Sequence, residues 1–277
     1  MTDAQTKAAA ARILDPVEFY HSGPTSFFAS QHDQRFSYCM YVPSAHRTTR
    51  TPLPLVVLMH GTARTAERYR NEYREFAETH DCVVVAPLFP AGVIEPGDLH
   101  SFKRILFHDI RFDHVLLDII TEIGEQYRVN TERFFLHGFS GGGQFAHRFA
   151  YLHPHRLAAL SIGAPGRITR INPDVPWWLG TADLAELFGT ELDLAALREL
   201  PIQMVIGEAD TDTWEITEPD IDAGGDTRVE RLITLRDNFA AHQIPVRFDV
   251  VPGVGHRPFL IQPTVQKFLS DVLPKVA

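Results

Sequence analysis

The chain has 277 residues, 44% hydrophobic and 22% charged, which excludes a disordered or collagen-like polymer and allows one large domain or two small ones. Lys and Arg number 26 against 35 Asp and Glu, a net charge of −9 without a basic block, so nucleic acid is not an expected partner. No apolar run reaches the about 18 residues of a membrane-spanning helix, and two cysteines, Cys39 and Cys82, make neither a disulfide framework nor a zinc site. The opening MTDAQTKAAAARILDP lacks the basic-then-apolar order of a secretory signal, so a cytoplasmic protein with reduced thiols is expected.

Residues 1–34 read as an N-terminal tail or helix, with an alanine run at 8–11, and 35–277 as a single domain. RFSYCMYV (35–42) alternates like an exposed strand. PLVVLMH (54–60) is a continuous apolar run closed by Gly61, the signature of a strand buried on both faces. Residues 66–80 have helical spacing, with Tyr69, Tyr73, Phe76 and Ala77 on one side. CVVVAP (82–87) is a second buried strand. Residues 109–127 predict a helix, since Ile110, Val115, Leu116, Ile119, Ile120 and Ile123 recur at threes and fours. RFFLHGF (133–139) is a third strand, 142–153 a helix stopped before Pro154, and LAALSI (157–162), IQMVI (202–206) and 246–251 three more strands. Helices are expected over 229–241 and 259–272.

Strands alternating with helices imply an α/β fold, a mostly parallel sheet with helices on both faces. Residues 164–200 break the rhythm: Trp177, Trp178, Phe188 and several Pro and Gly lie between two core strands. Such an excursion reads as a lid-like insertion, with a plain packing insertion as the alternative.

The strongest chemical signal is Gly138-Phe139-Ser140-Gly141-Gly142, placed between a buried strand and a helix. A tight turn there needs small neighbours and leaves the serine hydroxyl clear at the strand end. The run lacks the Lys-Ser/Thr of a P-loop and the spacing of a dinucleotide loop. A base is expected at His256, in Gly253-Val254-Gly255-His256 after the last strand. The orienting carboxylate is expected in Gly207-Glu208-Ala209-Asp210-Thr211-Asp212, with Asp210 favoured, Asp212 open and Glu208 behind. All three positions fall where parallel sheets gather their sites, at the C-terminal strand ends. Oxyanion donors are expected from the N–H of Gly141 and of Thr62, with Ala63 in reserve, and His60 reads as a structural support for that turn.

These motifs resemble those of α/β-hydrolase-fold serine hydrolases. His60-Gly61, Gly138-Phe139-Ser140-Gly141-Gly142, Gly207-Glu208-Ala209-Asp210 and Gly255-His256 match the family's order from roughly Arg35 onward. Within it the chain is most similar to polyhydroxybutyrate-depolymerase-like and feruloyl-esterase-like esterases. It departs from them in lacking their usual disulfides and in continuing the acid loop as Thr211-Asp212-Thr213-Trp214 instead of a Val-Pro pair. The resemblance implies an esterase working through a Ser140–His256–Asp210 triad and an acyl-enzyme, without cofactor or metal. Amide or carbon–carbon bond hydrolysis, or a non-catalytic binding protein of the same fold, remain alternatives.

The expected partner is a small-molecule ester or related acyl substrate, with no membrane; a homodimer stays open. Arg64, Trp177, Trp178 and Trp214 are candidate substrate contacts, and an inward-pointing Arg64 or Arg257 would suit a carboxylate-bearing substrate. No spacing among His100, His108, His114, His153 and His155 suggests a metal.

Overall fold

A computed structural model of the chain describes residues 20–217, 221 and 223–276. The strands are β1 (Gly23–Pro24), β2 (Phe28–Ala29), β3 (Ser37–Val42), β4 (Leu55–Met59), β5 (Val83–Leu88), β6 (Leu106–Phe107), β7 (Ile110–Arg111), β8 (Phe134–Phe139), β9 (Leu157–Gly163), β10 (Ile202–Gly207) and β11 (Arg247–Val251). The helices are α1 (Ala66–Glu72), α2 (Arg74–His80), α3 (Phe112–Gln126), α4 (Gly141–Leu152), α5 (Leu184–Phe188), α6 (Leu194–Glu199), α7 (Arg228–Ala241) and α8 (Pro258–Val276).

One sheet runs in the order β1-β3-β5-β4-β8-β9-β10-β11, with β2 added to β3 and a separate hairpin of β6 and β7. From β5 to β11 every neighbouring pair is parallel; β3 is antiparallel to β5. The apolar runs explain the layering. Every residue of β4, β8, β9 and β10 is buried, as a strand covered by helices on both faces requires, whereas edge strand β11 is partly exposed. The parallel order brings the C-terminal ends of β4, β8, β10 and β11 to the same edge.

Three expectations are corrected. Residues 23–29 already pair with β3, so the sheet begins before the boundary expected at Arg35; the alanine run at 8–11 lies outside the described residues. The helix expected over 66–80 breaks at Tyr73, whose backbone leaves helical geometry while its buried hydroxyl donates to Gln262 at 2.6 Å. The helix expected from 109 starts at Phe112, because Ile110–Arg111 pair with Leu106–Phe107 around positive-φ His108.

The 164–200 segment packs rather than covers: Ile168, Ile171, Leu184 and Leu197 are buried in the same core as the sheet. Cys39 and Cys82 are buried free thiols, pushed up by that burial to about 11 and about 12. Among the described residues no helix is long and apolar enough to cross a membrane.

Candidate active site

Ser140 sits between β8 and α4 with φ 57° and ψ −115°, a conformation that costs a non-glycine residue of order 1–3 kcal/mol. Its surroundings hold it there. The Ser140 N–H donates to the Gly163 carbonyl at 2.8 Å, and its own carbonyl accepts from Gln144 N–H at 3.0 Å, the first bond of α4. A side chain on Gly138 would run into the Gly142 backbone, and one on Gly142 into the carbonyls of Met59 and His60. The small residues on either side of the serine are therefore demanded by close backbone approach.

His256 follows β11, and Asp210 follows β10. The ring Nδ1 donates to Asp210 Oδ2 at 2.6 Å, which leaves Nε2 as the acceptor. The Asp210 side chain is fully buried and the His256 ring largely so; the Phe139 ring packs on the imidazole at 4.8 Å. Of the two acids left open by sequence, the structure brings Asp210 to the ring. Asp212 is exposed, and only its carbonyl takes part, accepting from Arg228 at 3.2 Å. Glu208 braces the histidine loop by accepting from Gly253 N–H at 2.9 Å.

Ser140 and His256 line one cavity of about 470 Å³ together with Gly61, Thr62 and Glu215; Tyr69, Leu99, Phe139 and Pro258 give it apolar walls. Among the described residues no hydrogen bond joins the Ser140 hydroxyl to the imidazole, a contact that is commonly long in ligand-free sites. Thr62 N lies 3.2 Å from where a Gly141 Cβ would stand, so the two backbone segments expected to donate to an oxyanion are adjacent. His60 is buried, donates from Nδ1 to Gly61 O and accepts at Nε2 from Phe89 N–H; burial lowers it to about 4, a neutral support for the turn.

No known family model matches the sequence, and neither does any curated protein. Solved structures do resemble it. The LpqC poly(3-hydroxybutyrate) depolymerase of Bordetella parapertussis superposes with a TM-score of 0.74 at 23% identity, over 94% of this chain and 97% of that one. Poly(aspartic acid) hydrolase-1 of Sphingomonas sp. KT-1 gives 0.73 at 19%, over 89% and 98%. An S-formylglutathione hydrolase from Agrobacterium tumefaciens gives 0.63 at 19%, over 91% and 94%. The chain has the α/β-hydrolase fold.

Within this hydrolase fold the expected substrate contacts do not assemble. Arg64 is taken up by the carbonyls of Phe89, Thr62 and Leu99 and lies over the Phe102 ring. Trp177 stacks edge-on against Phe188 and donates to the Arg104 carbonyl; Trp178 lies between the guanidinium groups of Arg104 and Arg148. Trp214 is 80% exposed, and Arg257 is exposed too. None of these residues lines the cavity beside Ser140. The aromatic content of the insertion thus serves packing.

Sequence reading missed Arg228 and Glu215. Arg228 is buried and reaches Asp210 Oδ1 at 3.4 Å and Glu215 Oε2 at 2.7 Å. Neither lies in a motif, so pattern gave no signal for them. Among the described residues one group could offer three metal-ligand atoms, Asp113, His114 and His153. Arg111 already engages both Asp113 oxygens at 2.9 and 2.6 Å, and His153 adds a bond at 2.7 Å. Against the opposing effect of burial, these partners hold the Asp113 carboxyl down to about 2. It is an ion-pair network remote from the cavity lining.

Proposed function

We propose that this protein is a serine hydrolase of carboxylic esters, with Ser140 as nucleophile, His256 as general base and acid, and Asp210 as the carboxylate that orients the ring. The observation that carries this reading is the 2.6 Å bond from His256 Nδ1 to buried Asp210, at the cavity that the strained Ser140 turn also lines. A carboxylate on Nδ1 leaves Nε2 unprotonated toward the cavity and stabilises the imidazolium that forms during reaction.

The steps follow from these groups. Nε2 takes the Ser140 proton as Oγ bonds to the acyl carbon and the carbonyl electron pair moves onto oxygen. The N–H groups of Gly141 and Thr62 receive that oxyanion; one such donor typically contributes about 100–1000-fold. Collapse breaks the bond to the leaving oxygen, which takes the proton from His256. Water, deprotonated by the same nitrogen, then releases the acid from the acyl-enzyme.

Hydrolysis of an amide or a carbon–carbon bond on the same triad is the second reading. Poly(aspartic acid), named in the Sphingomonas neighbour, is a polyamide. A panel of ester, anilide and β-diketone substrates separates these. A fluorophosphonate probe tests the hydrolase reading itself: stoichiometric labelling of Ser140 in folded protein is expected. Absence of label would favour a ligand-binding protein on the same fold.

A further inference from the structure

Gly141 opens α4 and carries one of the two N–H groups proposed to receive the oxyanion. Its Cα is hemmed in from two sides. A side chain there would meet Lys103 Cε at 2.9 Å, the Phe102 ring at 3.2 Å and Thr62 N at 3.2 Å. Thr62 N carries the second N–H, and its peptide is fixed from behind: the Gly61 carbonyl accepts from His60 Nδ1 at 2.8 Å and from Arg64 N–H at 3.1 Å. Gly141 and Phe102 are buried, and Lys103 is 3% exposed. The lysine stem therefore meets both donor peptides away from bulk water.

The Lys103 ammonium, one bond beyond Cε, has a single hydrogen-bond partner among the described residues, His100 Nδ1 at 2.8 Å. Burial, with Lys103 and Arg167 beside it, lowers His100 from its ordinary value, so the ring is a neutral acceptor. The two acids whose fields reach Lys103 are engaged elsewhere. Glu215 is bonded to Arg228, and Asp98 accepts from the N–H groups of His100 and Ser101. The remaining charged neighbours are cations, Arg64 from the loop after β4 and Arg167 from the segment after β9. Arg148, from α4, donates to the Lys103 carbonyl. His60, at the end of β4, is held neutral by burial, at about 4. A buried cation without an anion is costly in the resting protein. That cost is offset when negative charge develops beside it during the reaction, and an interaction gained only then raises kcat without tightening substrate binding.

We propose that Lys103 is a positioning residue for the oxyanion: its ammonium, held behind Gly141, makes the potential at the two N–H groups positive before an ester arrives, and it is balanced only when the acyl oxygen becomes negative. The inference rests on the serine-hydrolase reading. Lys103 does not line the cavity at Ser140, so it acts through the peptides of Gly141 and Thr62 and not by touching substrate.

The test measures kcat and KM of the wild type and of Lys103→Met on methyl butyrate from about pH 6.5 to 9.5, with active sites counted by fluorophosphonate. Methionine fills similar space without the charge. At about pH 6.5 kcat of the variant is expected to be at least ten-fold lower, with KM changed less than about two-fold. Burial, with Arg64 and Arg167, lowers Lys103 to about 7, so the lysine loses its charge above that pH. The kcat advantage of the wild type is therefore expected to shrink toward one by about pH 9.5, while protonation of His256 affects both proteins alike. Equal kcat at about pH 6.5, a loss confined to KM, or an advantage that stays constant with pH overturns the proposal. Should Lys103→Met not fold, the wild type decides: kcat is expected to fall at least three-fold between about pH 7 and 9.5 with circular dichroism unchanged, and a smaller fall overturns the proposal. Ester turnover that is indifferent to Lys103 overturns this inference alone. No turnover of any ester, with no fluorophosphonate label, overturns the hydrolase reading and this one with it.

Discussion

At the ends of β10 and β11 the charged groups beside Ser140 are matched: His256 rests on Asp210, and Arg228 reaches both Asp210 and Glu215. Around the turn Ser101–Arg104, against Gly141, the buried cations Lys103 and Arg148 have no carboxylate among the described residues. The first flank is complete before any ligand arrives, as a group that must be aimed requires. The second keeps its cations on neutral partners, His100 for Lys103 and Thr169, Gln144 and the Lys103 carbonyl for Arg148. The two sides of one serine thus differ in how their charge is matched, and substitutions should separate them.

The largest effect should come from removing the group the two flanks share. Ser140→Ala is expected to lower kcat about a million-fold on any ester while circular dichroism stays unchanged. Asp210→Asn follows, at about ten-thousand-fold, because the amide favours the wrong imidazole tautomer. Asp212→Asn should change kcat only a few-fold, as its exposed carboxylate touches neither His256 nor Ser140. Steady-state kinetics on one neutral ester measures all three. A larger loss for Asp212 than for Asp210 would mean the matched flank has been read on the wrong acid.

In the matched flank Ser140, Asp210 and His256 were legible in sequence; Arg228 and Glu215 were not, and neither was the cationic flank. Ser140, Asp210 and His256 stand at strand ends in glycine-rich motifs, where Gly138, Gly142 and Gly207 are dictated by close backbone approach, so spacing places them. Lys103 and Arg148 lie in no motif; they reach the site only because the Ser101–Arg104 turn folds onto α4. Trp177 and Trp178 misled for the complementary reason. Aromatic residues in an insertion read as pocket lining, yet their rings are consumed by Phe188 and by Arg104 and Arg148. The sheet was readable almost strand by strand because buried parallel strands are continuous apolar runs. The short pieces were not, since β1, β2, β6 and β7 have two residues each and carry no period to detect.

Arg228 tests how far the matched flank depends on its own completeness. Its guanidinium is buried and shared between Asp210 and Glu215. Arg228→Met leaves a buried carboxylate with the imidazole as its only ionic partner, and removing one member of a buried pair typically costs about 3–5 kcal/mol. A loss of that order is expected in denaturant melts. In kinetics, kcat should fall while KM for a neutral ester changes little, and Arg228→Lys should recover part of kcat. Loss of stability with kcat intact would make Arg228 a structural residue with no bearing on the triad.

The smallest effect concerns the buried lysine of the cationic flank. Burial lowers Lys103 from an ordinary 10.5 to about 7. Below about 7 the lysine is charged in both folded and unfolded chains, so the folded state bears the full cost of burying it. Between about 7 and 10.5 the unfolded chain holds the extra proton, so wild-type stability rises with pH across that window. Lys103→Met should therefore raise Tm at pH 6 by roughly a few degrees, a gain that shrinks toward pH 10. A gain from Lys103→Met that grows with pH would show that the ammonium is already paired, and the contrast between the two flanks of Ser140 would then dissolve.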